Sequence, residues 1–483
     1  MRHIYFALLC LIATNLPAQT PDKQDTFLIR IYFQNAAEAD SIKQYNFIIE
    51  SEKRGEYVET RVPLAEMFKL ITLGFDVSLV LEQVESALID SAYHSPEEIE
   101  AKLNKYCENY SEICVLKTIG QSTTLKLPIW AIKISDRAKM DEDEPRILLT
   151  GAHHGREPLS VEICLYLINQ FCTKYRSHPD FKKWIDNFEI WIVPVVNPDG
   201  FSQIFDSTKN LTWWRKNLRD NNRNGIFDPE IDGVDINRNY NFNWELGGSD
   251  ESSSQFYRGI APFSENETRV IKNLVEDKRF CLILDFHSFG ESVLYPWGNQ
   301  TDPPDLPLIL EIAYGLASKI KKIGSIKSYD VIPLDAKMGQ SSVWHYGVHG
   351  IMGFIVETGD TYLPPGKQIN TIASQVSNGV YFALDRLSRA RLSGHVWDGK
   401  NKMPLAAQIQ IRKQDGARLQ SVTSEARWGR FDRLLSPGKY EITVLCPGFH
   451  EFVIESVEIA ADMPASIEVY LTPEPASEEA KRR

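Results

Sequence analysis

The chain is poor in long apolar runs, has no CxxC pair, carries no excess of basic charge and shows no internal repeat. After the first fifteen residues no apolar stretch reaches the 18 or more residues that a membrane helix needs, which excludes a spanning segment. Seven cysteines without a CxxC spacing exclude a cysteine-based zinc knuckle. A formal net charge of -12 removes the basic patch that nucleic acid or an anionic membrane would require, and it is too small for a chain of 483 residues to imply disorder. The missing repeat rules out a solenoid.

What is present is ordinary globular composition, 43% apolar and 24% charged, in a chain long enough for two to four domains. Arg2 and His3 precede an apolar run from Ile4 to Ala13, closed by Asn15-Leu16-Pro17-Ala18-Gln19. This reads as an export signal, residues 1–18, cleaved after Ala18, and predicts a secreted or periplasmic protein. Export permits disulfides. Cys107 and Cys114 flank a short stretch and are a candidate pair, whereas Cys164 and Cys172 fall in an apolar periodic run and read as buried thiols.

Three textures follow. Residues 19–92 read as a small α+β unit: strands Phe27–Phe33, Asn46–Glu50, Tyr57–Val62 and Phe75–Val80 alternate with helices Ala36–Tyr45 and Leu64–Leu73, a ferredoxin-like βαββαβ order. Ser95-Pro96-Glu97-Glu98 then starts a new helix, opening a domain at 93–388. Within it the buried strands Arg146–Thr150, Phe188–Val195, Cys281–Phe286 and Gly353–Val356 alternate with the helices Ser160–Lys174, Glu265–Asp277 and Leu306–Lys321. That alternation predicts an α/β domain with a mixed, largely parallel sheet and helices on both faces. Residues 389–473 carry alternating strands between turns, as in Leu392–Val396, Gln408–Arg412, Lys439–Leu445 and Ile467–Leu471, and predict an all-β sandwich. A polar, disordered tail, 474–483, closes the chain.

The chemistry concentrates in His153-His154-Gly155-Arg156-Glu157, directly after a buried strand, where an α/β sheet presents its ligand edge. His154 and Glu157, three apart, can share a metal, and a catalytic zinc site needs a third protein ligand with one position left open. Spacing alone is weak evidence and leaves His153 a rival, four residues from Glu157. His287, at the end of another apolar strand, qualifies as the third ligand, although a lone histidine there is more often structural. Asp220-Asn221-Asn222-Arg223-Asn224-Gly225 begins like a calcium loop, but Ile231 stands where a glutamate is required, so it reads as a polar turn.

Taken together, the motifs resemble the zinc metallocarboxypeptidases of the carboxypeptidase A/B type. His154-Gly155-Arg156-Glu157 matches the family's H-x-R-E and selects His154 over His153. Trp214-Arg215-Lys216 matches W-R-K, and Val234-Asp235-Ile236-Asn237-Arg238-Asn239 matches V-D-x-N-R-N. His287-Ser288-Phe289 and Leu294-Tyr295-Pro296-Trp297-Gly298 also fit, as do Asn197-Pro198-Asp199-Gly200 and Pro262-Phe263-Ser264-Glu265. Glu357 follows Trp344 by the family's 13 residues. Residues 19–92 resemble the family's propeptide, and 389–473 resemble the transthyretin-like (carboxypeptidase regulatory-like) domain that follows some members, through Gly429-Arg430-Phe431 and Leu435-Ser436-Pro437-Gly438-Lys439-Tyr440.

The resemblance implies a zinc-dependent exopeptidase acting on the C-termini of peptides or proteins, with one zinc ion on His154, Glu157 and His287. It implies Glu357 as general base and Arg215 as oxyanion stabiliser. Asn237, Arg238 and Arg156 would bind substrate, and Asp235 would hold the far nitrogen of His154. Ser342 stands at the floor of the side-chain pocket; being neither acidic nor large and apolar, it leaves the preferred terminal residue open, leaning to neutral or mixed. The family's lid tyrosine is replaced by Asp335, while Tyr329 and Tyr346 do not align with it. Between Lys69 and Lys102 there is no Lys or Arg, so trypsin-like cleavage would not release the first domain. The sandwich reads as a stabilising or docking module, and oligomeric state stays open. The rival readings are a zinc amidohydrolase acting on peptidoglycan peptides or N-acyl amino acids, and a catalytically dead binding protein.

Overall fold

The computed structural model describes residues 26–33, 89–209, 211–297, 302–334 and 339–475, together with 42, 45, 47, 49–53, 57–63, 66–67, 70 and 75–79. The export signal at 1–18, the Asp335 position and the end of the tail lie outside the described residues. By contact density the chain divides into Met1–Val84 and Glu85–Arg483.

In the first unit, β1 (Thr26–Tyr32), β2 (Ile49–Lys53), β3 (Tyr57–Pro63) and β4 (Asp76–Leu79) form one sheet in the order β2-β3-β1-β4, with antiparallel pairing throughout. Ile29 and Ile31 point from β1 into a small core that includes Ile42, Met67 and Leu70, three residues in helical conformation.

The second unit begins with α1 (Pro96–Asn109), capped as its sequence requires: Glu98 N–H donates to Ser95 Oγ (3.3 Å) and Ser95 N–H to Glu98 Oε2 (2.8 Å). An eight-stranded mixed sheet follows, built from β5 (Cys114–Gln121), β6 (Pro128–Ile134), β7 (Arg146–Thr150), β8 (Glu189–Val193), β9 (Leu282–His287), β10 (Ser292–Tyr295), β11 (Asp330–Pro333) and β12 (Met352–Glu357). Its order is β11-β10-β12-β9-β7-β8-β6-β5. The central four, β12-β9-β7-β8, run parallel. They read as largely apolar runs because both faces are covered. On one face lie α2 (Pro158–Lys174), α6 (Leu306–Lys319) and α8 (Gly366–Leu387); on the other lie α5 (Asn266–Lys278) and part of α7 (Ser341–His349). The shorter α3 (Pro179–Ile185) and α4 (Pro198–Ile204) flank β8. Boundaries move by a few residues from the sequence reading. For example, α2 starts at Pro158, where proline's missing N–H costs nothing at the first helical position. The sulfurs of Cys107 and Cys114 lie 3.1 Å apart with no bond between them.

The C-terminal part comprises β13 (Arg391–Asp398), β14 (Gln408–Lys413), β15 (Val422–Thr423), β16 (Arg430–Leu434), β17 (Gly438–Leu445), β18 (Phe452–Ile459) and β19 (Ala465–Leu471). They form two sheets, β16-β13-β19 and β15-β14-β17-β18, closed over a shared apolar core. Polar contacts join this part to the α/β layers. Arg433 Nη2 lies 2.8 Å from Asp305 Oδ2, which also accepts the Tyr346 hydroxyl (2.7 Å) and Gln420 N–H (3.1 Å). His395 bridges Asp143 (2.9 Å) and Glu468 (2.8 Å).

That bridge predicts a pH dependence. Asp143 above all, then Glu468, raises the His395 pKa against the opposing effect of burial. A raised folded-state pKa stabilises fully below the unfolded value of about 6.5 and loses that stability as pH rises through the folded value. Melting temperature should fall from pH 6 towards pH 9, and His395→Gln should flatten that slope. An unchanged slope in the variant would assign the dependence elsewhere. No helix among the described residues is long and apolar enough to cross a membrane.

Candidate metal centre and active site

The C-terminal ends of β7, β9 and β12, adjacent in the sheet, meet at one spot. The chain leaves β7 at Thr150 and passes His154 and Glu157 before α2. His287 ends β9, and Glu357 ends β12 directly beside it in register. Gly155 allows this loop to pack: a Cβ there would sit 2.5 Å from the Gly200 carbonyl oxygen and 2.8 Å from that of Trp214. Its N–H donates to the Arg215 carbonyl at 3.1 Å. Thus the backbone of the W-R-K stretch is pinned against the H-x-R-E stretch.

His154 Nδ1 lies 2.7 Å from Glu157 Oε1, and His287 Nδ1 lies 2.9 Å from Glu157 Oε2. The two Nδ1 atoms are only 3.2 Å apart. Two imidazole lone pairs and a carboxylate converging this closely repel one another unless a cation sits among them. Two nitrogens and an oxygen are a donor set that suits zinc. Burial opposes charge on Glu157, yet His154 and His287 hold its carboxyl well below the usual range. His153, the rival ligand, turns away: its Nε2 meets the Tyr240 hydroxyl at 3.1 Å. Among the described residues one other metal-capable group occurs, Asp136, Glu142 and Glu144, all acidic, with Glu142 buried and the other two partly buried. The Asp220 turn folds on itself, with Gly225 N–H donating to Asp220 Oδ2 (2.8 Å), and joins neither group.

Asp235 links the centre to its surroundings. Fully buried, it caps the short helical turn Ile236–Arg238 by accepting Asn237 N–H at 3.0 Å. The same Oδ1 is 3.2 Å from His154 Nε2, and Oδ2 accepts Arg215 Nη2 (2.7 Å) and Nε (3.0 Å). Burial opposes its charge, but Arg215, then His154 and Arg238, hold the carboxyl well below the ordinary range. Arg215 therefore keeps Nη1 for the centre, 3.2 Å from His154 Nδ1 and 3.8 Å from Glu157.

Burial pushes the Glu357 carboxyl up to about 8, against the pull of His287, Arg215 and Arg238; a divalent ion on the triad would add to that downward pull. Asn237 Oδ1 accepts Ser341 N–H (2.9 Å), its Nδ2 is 3.3 Å from His287 Nε2, and Arg238 Nη1 donates to the Asn237 carbonyl (2.9 Å). Arg156 Nη2 donates to the Tyr362 hydroxyl (3.1 Å) and stacks over that ring. Ser342 is buried at the start of α7.

Several of the remaining motif residues serve the scaffold. Asn197 caps α4 through Gly200 N–H (2.9 Å), Glu265 accepts Asn217 Nδ2 (2.8 Å), and Lys216 donates to the Ser252 carbonyl (2.9 Å). The sequence reading missed two aromatics. Phe256 lies under both guanidinium groups, 5.2 Å from Arg215 and 5.2 Å from Arg238. Tyr362 packs between Arg156 and Phe289. Neither sits in a motif; five residues after Glu357, Tyr362 carries no local signal. Of the tyrosines near the missing lid position in sequence, Tyr346 is tied to Asp305, and the Tyr329 hydroxyl accepts Gly359 N–H.

Comparison with known proteins agrees with this geometry. The family profile described as "Zinc carboxypeptidase" matches residues 99–379. The chain is 31% identical over 291 residues to a zinc carboxypeptidase of Saccharothrix mutabilis subsp. capreolus, covering 57% of this chain and 64%, less than two thirds, of that protein. It is 28% identical over 306 residues to carboxypeptidase B of Astacus astacus, covering 60% of this chain and 95% of that one. Other relatives, in Schizosaccharomyces pombe and Saccharomyces cerevisiae, are named inactive metallocarboxypeptidases. The crystal structure of carboxypeptidase A from Helicoverpa armigera superposes with a TM-score of 0.57 at 23% identity, covering 74% of this chain and 97% of that one, a likeness of fold. With the profile spanning more than half of its length and a His-Glu-His group in place for one zinc ion, the chain belongs to the zinc carboxypeptidase family.

Proposed function

We propose that the protein is an exported exopeptidase that hydrolyses the C-terminal peptide bond of peptides, using Glu357 as general base. One observation carries this reading: His154, Glu157, His287 and Glu357 converge from the ends of three adjacent parallel strands. Zinc on the first three supplies Lewis acidity towards a carbonyl and a water. Glu357, in register with His287, takes the proton of the attacking water and returns it to the leaving amine. Arg215, oriented by Asp235 and Phe256, faces the charge that develops on the carbonyl oxygen. Arg238 offers a planar fork for the terminal carboxylate, and Asn237 a side-chain amide. Arg156, stacked on Tyr362, sits one subsite further out. Retention of all these groups supports an active enzyme over a dead binding protein. In the same proposal residues 1–18 direct export and 389–473 are a transthyretin-like module.

The test is release of free amino acids from blocked dipeptides, with and without a zinc chelator. Chelator-sensitive release is expected. A C-terminal amide should cost at least about 100-fold in kcat/KM, since the Arg238 charge then meets no carboxylate. Arg238→Met should cost a similar factor on the free acid and little more on the amide. Equal cleavage of acid and amide would instead favour an amidohydrolase of other specificity.

A further inference from the structure

Behind the metal group lies a polar layer that this chemistry leaves unused. Strand alternation puts Ile283, Asp285 and His287 on one face of β9. Ile283 joins the apolar cluster of Trp344 and Ile351, and His287 reaches the metal centre. Asp285, between them, is 1% exposed. The Thr150 hydroxyl donates to its Oδ1 and the Ser341 hydroxyl to its Oδ2. Among the described residues no Lys or Arg forms an ion pair with it, whereas every other carboxylate in the centre has a cationic or metal-binding neighbour.

The neighbouring polar atoms are just as short of partners. Ser342 Oγ, His153 Nδ1 and both ring nitrogens of His345 are buried and without hydrogen bonds. His153 and His345 both lie close enough to Asp285 to act on its charge. Ser342 follows Ser341, His345 lies one turn further along α7, and both rest on Gly353 of β12, where a Cβ would meet the Ser342 carbonyl oxygen at 3.1 Å and His345 Cβ at 3.3 Å. The rings of His153 and His345 flank Tyr240, each 6.1 Å from it. Buried polar groups normally find partners, and a buried carboxylate normally finds a cation. A purely structural layer here would be better filled by apolar side chains of the same volume.

The layer is joined to the proposed carboxylate grip, because Ser341 donates its N–H to Asn237 and its hydroxyl to Asp285. On the proposed grip, a terminal carboxylate on Asn237 and Arg238 would place its own side chain next to Ser341, whose hydroxyl reaches Asp285. An ammonium or guanidinium has only donors to offer, which complements a carboxylate, a hydroxyl and imidazole lone pairs. We propose that Asp285 is the specificity-determining residue and selects substrates with a C-terminal lysine or arginine. The inference rests on the exopeptidase reading and departs from the neutral or mixed preference that Ser342 alone suggests.

The test uses the full-length, zinc-loaded protein and blocked dipeptides ending in Lys, Arg, norleucine, Gln and Leu. Wild type should favour Lys or Arg over norleucine by about 100-fold in kcat/KM. In Asp285→Asn the ratio should collapse to within about threefold, with zinc stoichiometry retained. Asp285→Glu should keep part of the preference. Should Asp285→Asn misfold, competition in the wild type decides: free lysine and arginine must inhibit more strongly than free norleucine. Efficient release of norleucine or Leu with no advantage for Lys or Arg overturns the proposal and leaves the exopeptidase reading standing. No release from any dipeptide overturns both.

Discussion

Glu357→Gln is expected to lower kcat by 10²–10⁴-fold, on the order that a positioned proton-transfer group contributes, with KM and zinc content close to wild type. The substitution keeps the side chain's size and removes only its ability to accept a proton. The side chain lies beside the metal triad and is not part of it, so neither metal binding nor the substrate grip is touched. Single-turnover kinetics with a dipeptide and metal analysis of the same preparation check the two halves. A tenfold fall or less would mean that another group carries the proton. Loss of zinc together with activity would make Glu357 a ligand.

Asp235→Ala should have the largest effect of any single substitution on stability and metal binding together. Asp235 and Arg215 are both buried, and removing one partner of a buried, hydrogen-bonded pair costs about 3–5 kcal/mol because the other charge is stranded. The same change takes away the carboxylate facing His154 Nε2. That carboxylate fixes the ring so that Nδ1 faces Glu157, where it could hold zinc, and its loss should weaken zinc binding by about 10–100-fold. Denaturant titration of the metal-free protein isolates the first effect, and competition with a chromophoric chelator isolates the second. If the metal-free variant is as stable as wild type, Arg215 has found another counter-charge, and its proposed aim at the carbonyl oxygen must be revised.

How much of the molecule could be read from the sequence depended on whether a burial pattern was local. The parallel strands β7, β9 and β12 were legible because strands covered on both faces are predominantly apolar runs. Their polar ends stood out for the same reason: His287 and Glu357 interrupt such runs at the edge where ligands bind. In the C-terminal part β13, β14, β17 and β19 alternate and were readable. β16 was not, since its buried residues include Arg430 and Arg433, charges whose ion-pair partners Asp143, Asp432 and Asp305 are supplied by the fold. β18 escaped because much of it faces solvent. Asp285 was passed over as one polar letter in an apolar strand, and nothing in its neighbourhood in sequence announces Thr150, Ser341 or His345.

The sequence by itself determined the fold class and the family, because motifs such as His154-Gly155-Arg156-Glu157 and Trp214-Arg215-Lys216 are residue types at fixed short spacings, and it narrowed the candidate metal ligands to His154, Glu157 and His287 only through that family resemblance. Tertiary structure alone decided that His154 and His287 turn Nδ1 towards Glu157, that Phe256 and Tyr362 support the three arginines, and that Asp285 is held by the hydroxyls of Thr150 and Ser341. Those relations join residues tens to hundreds of positions apart. They depend on the close approach of backbones at Gly155 and Gly353 and on the order of strands in the sheet, which no local pattern encodes.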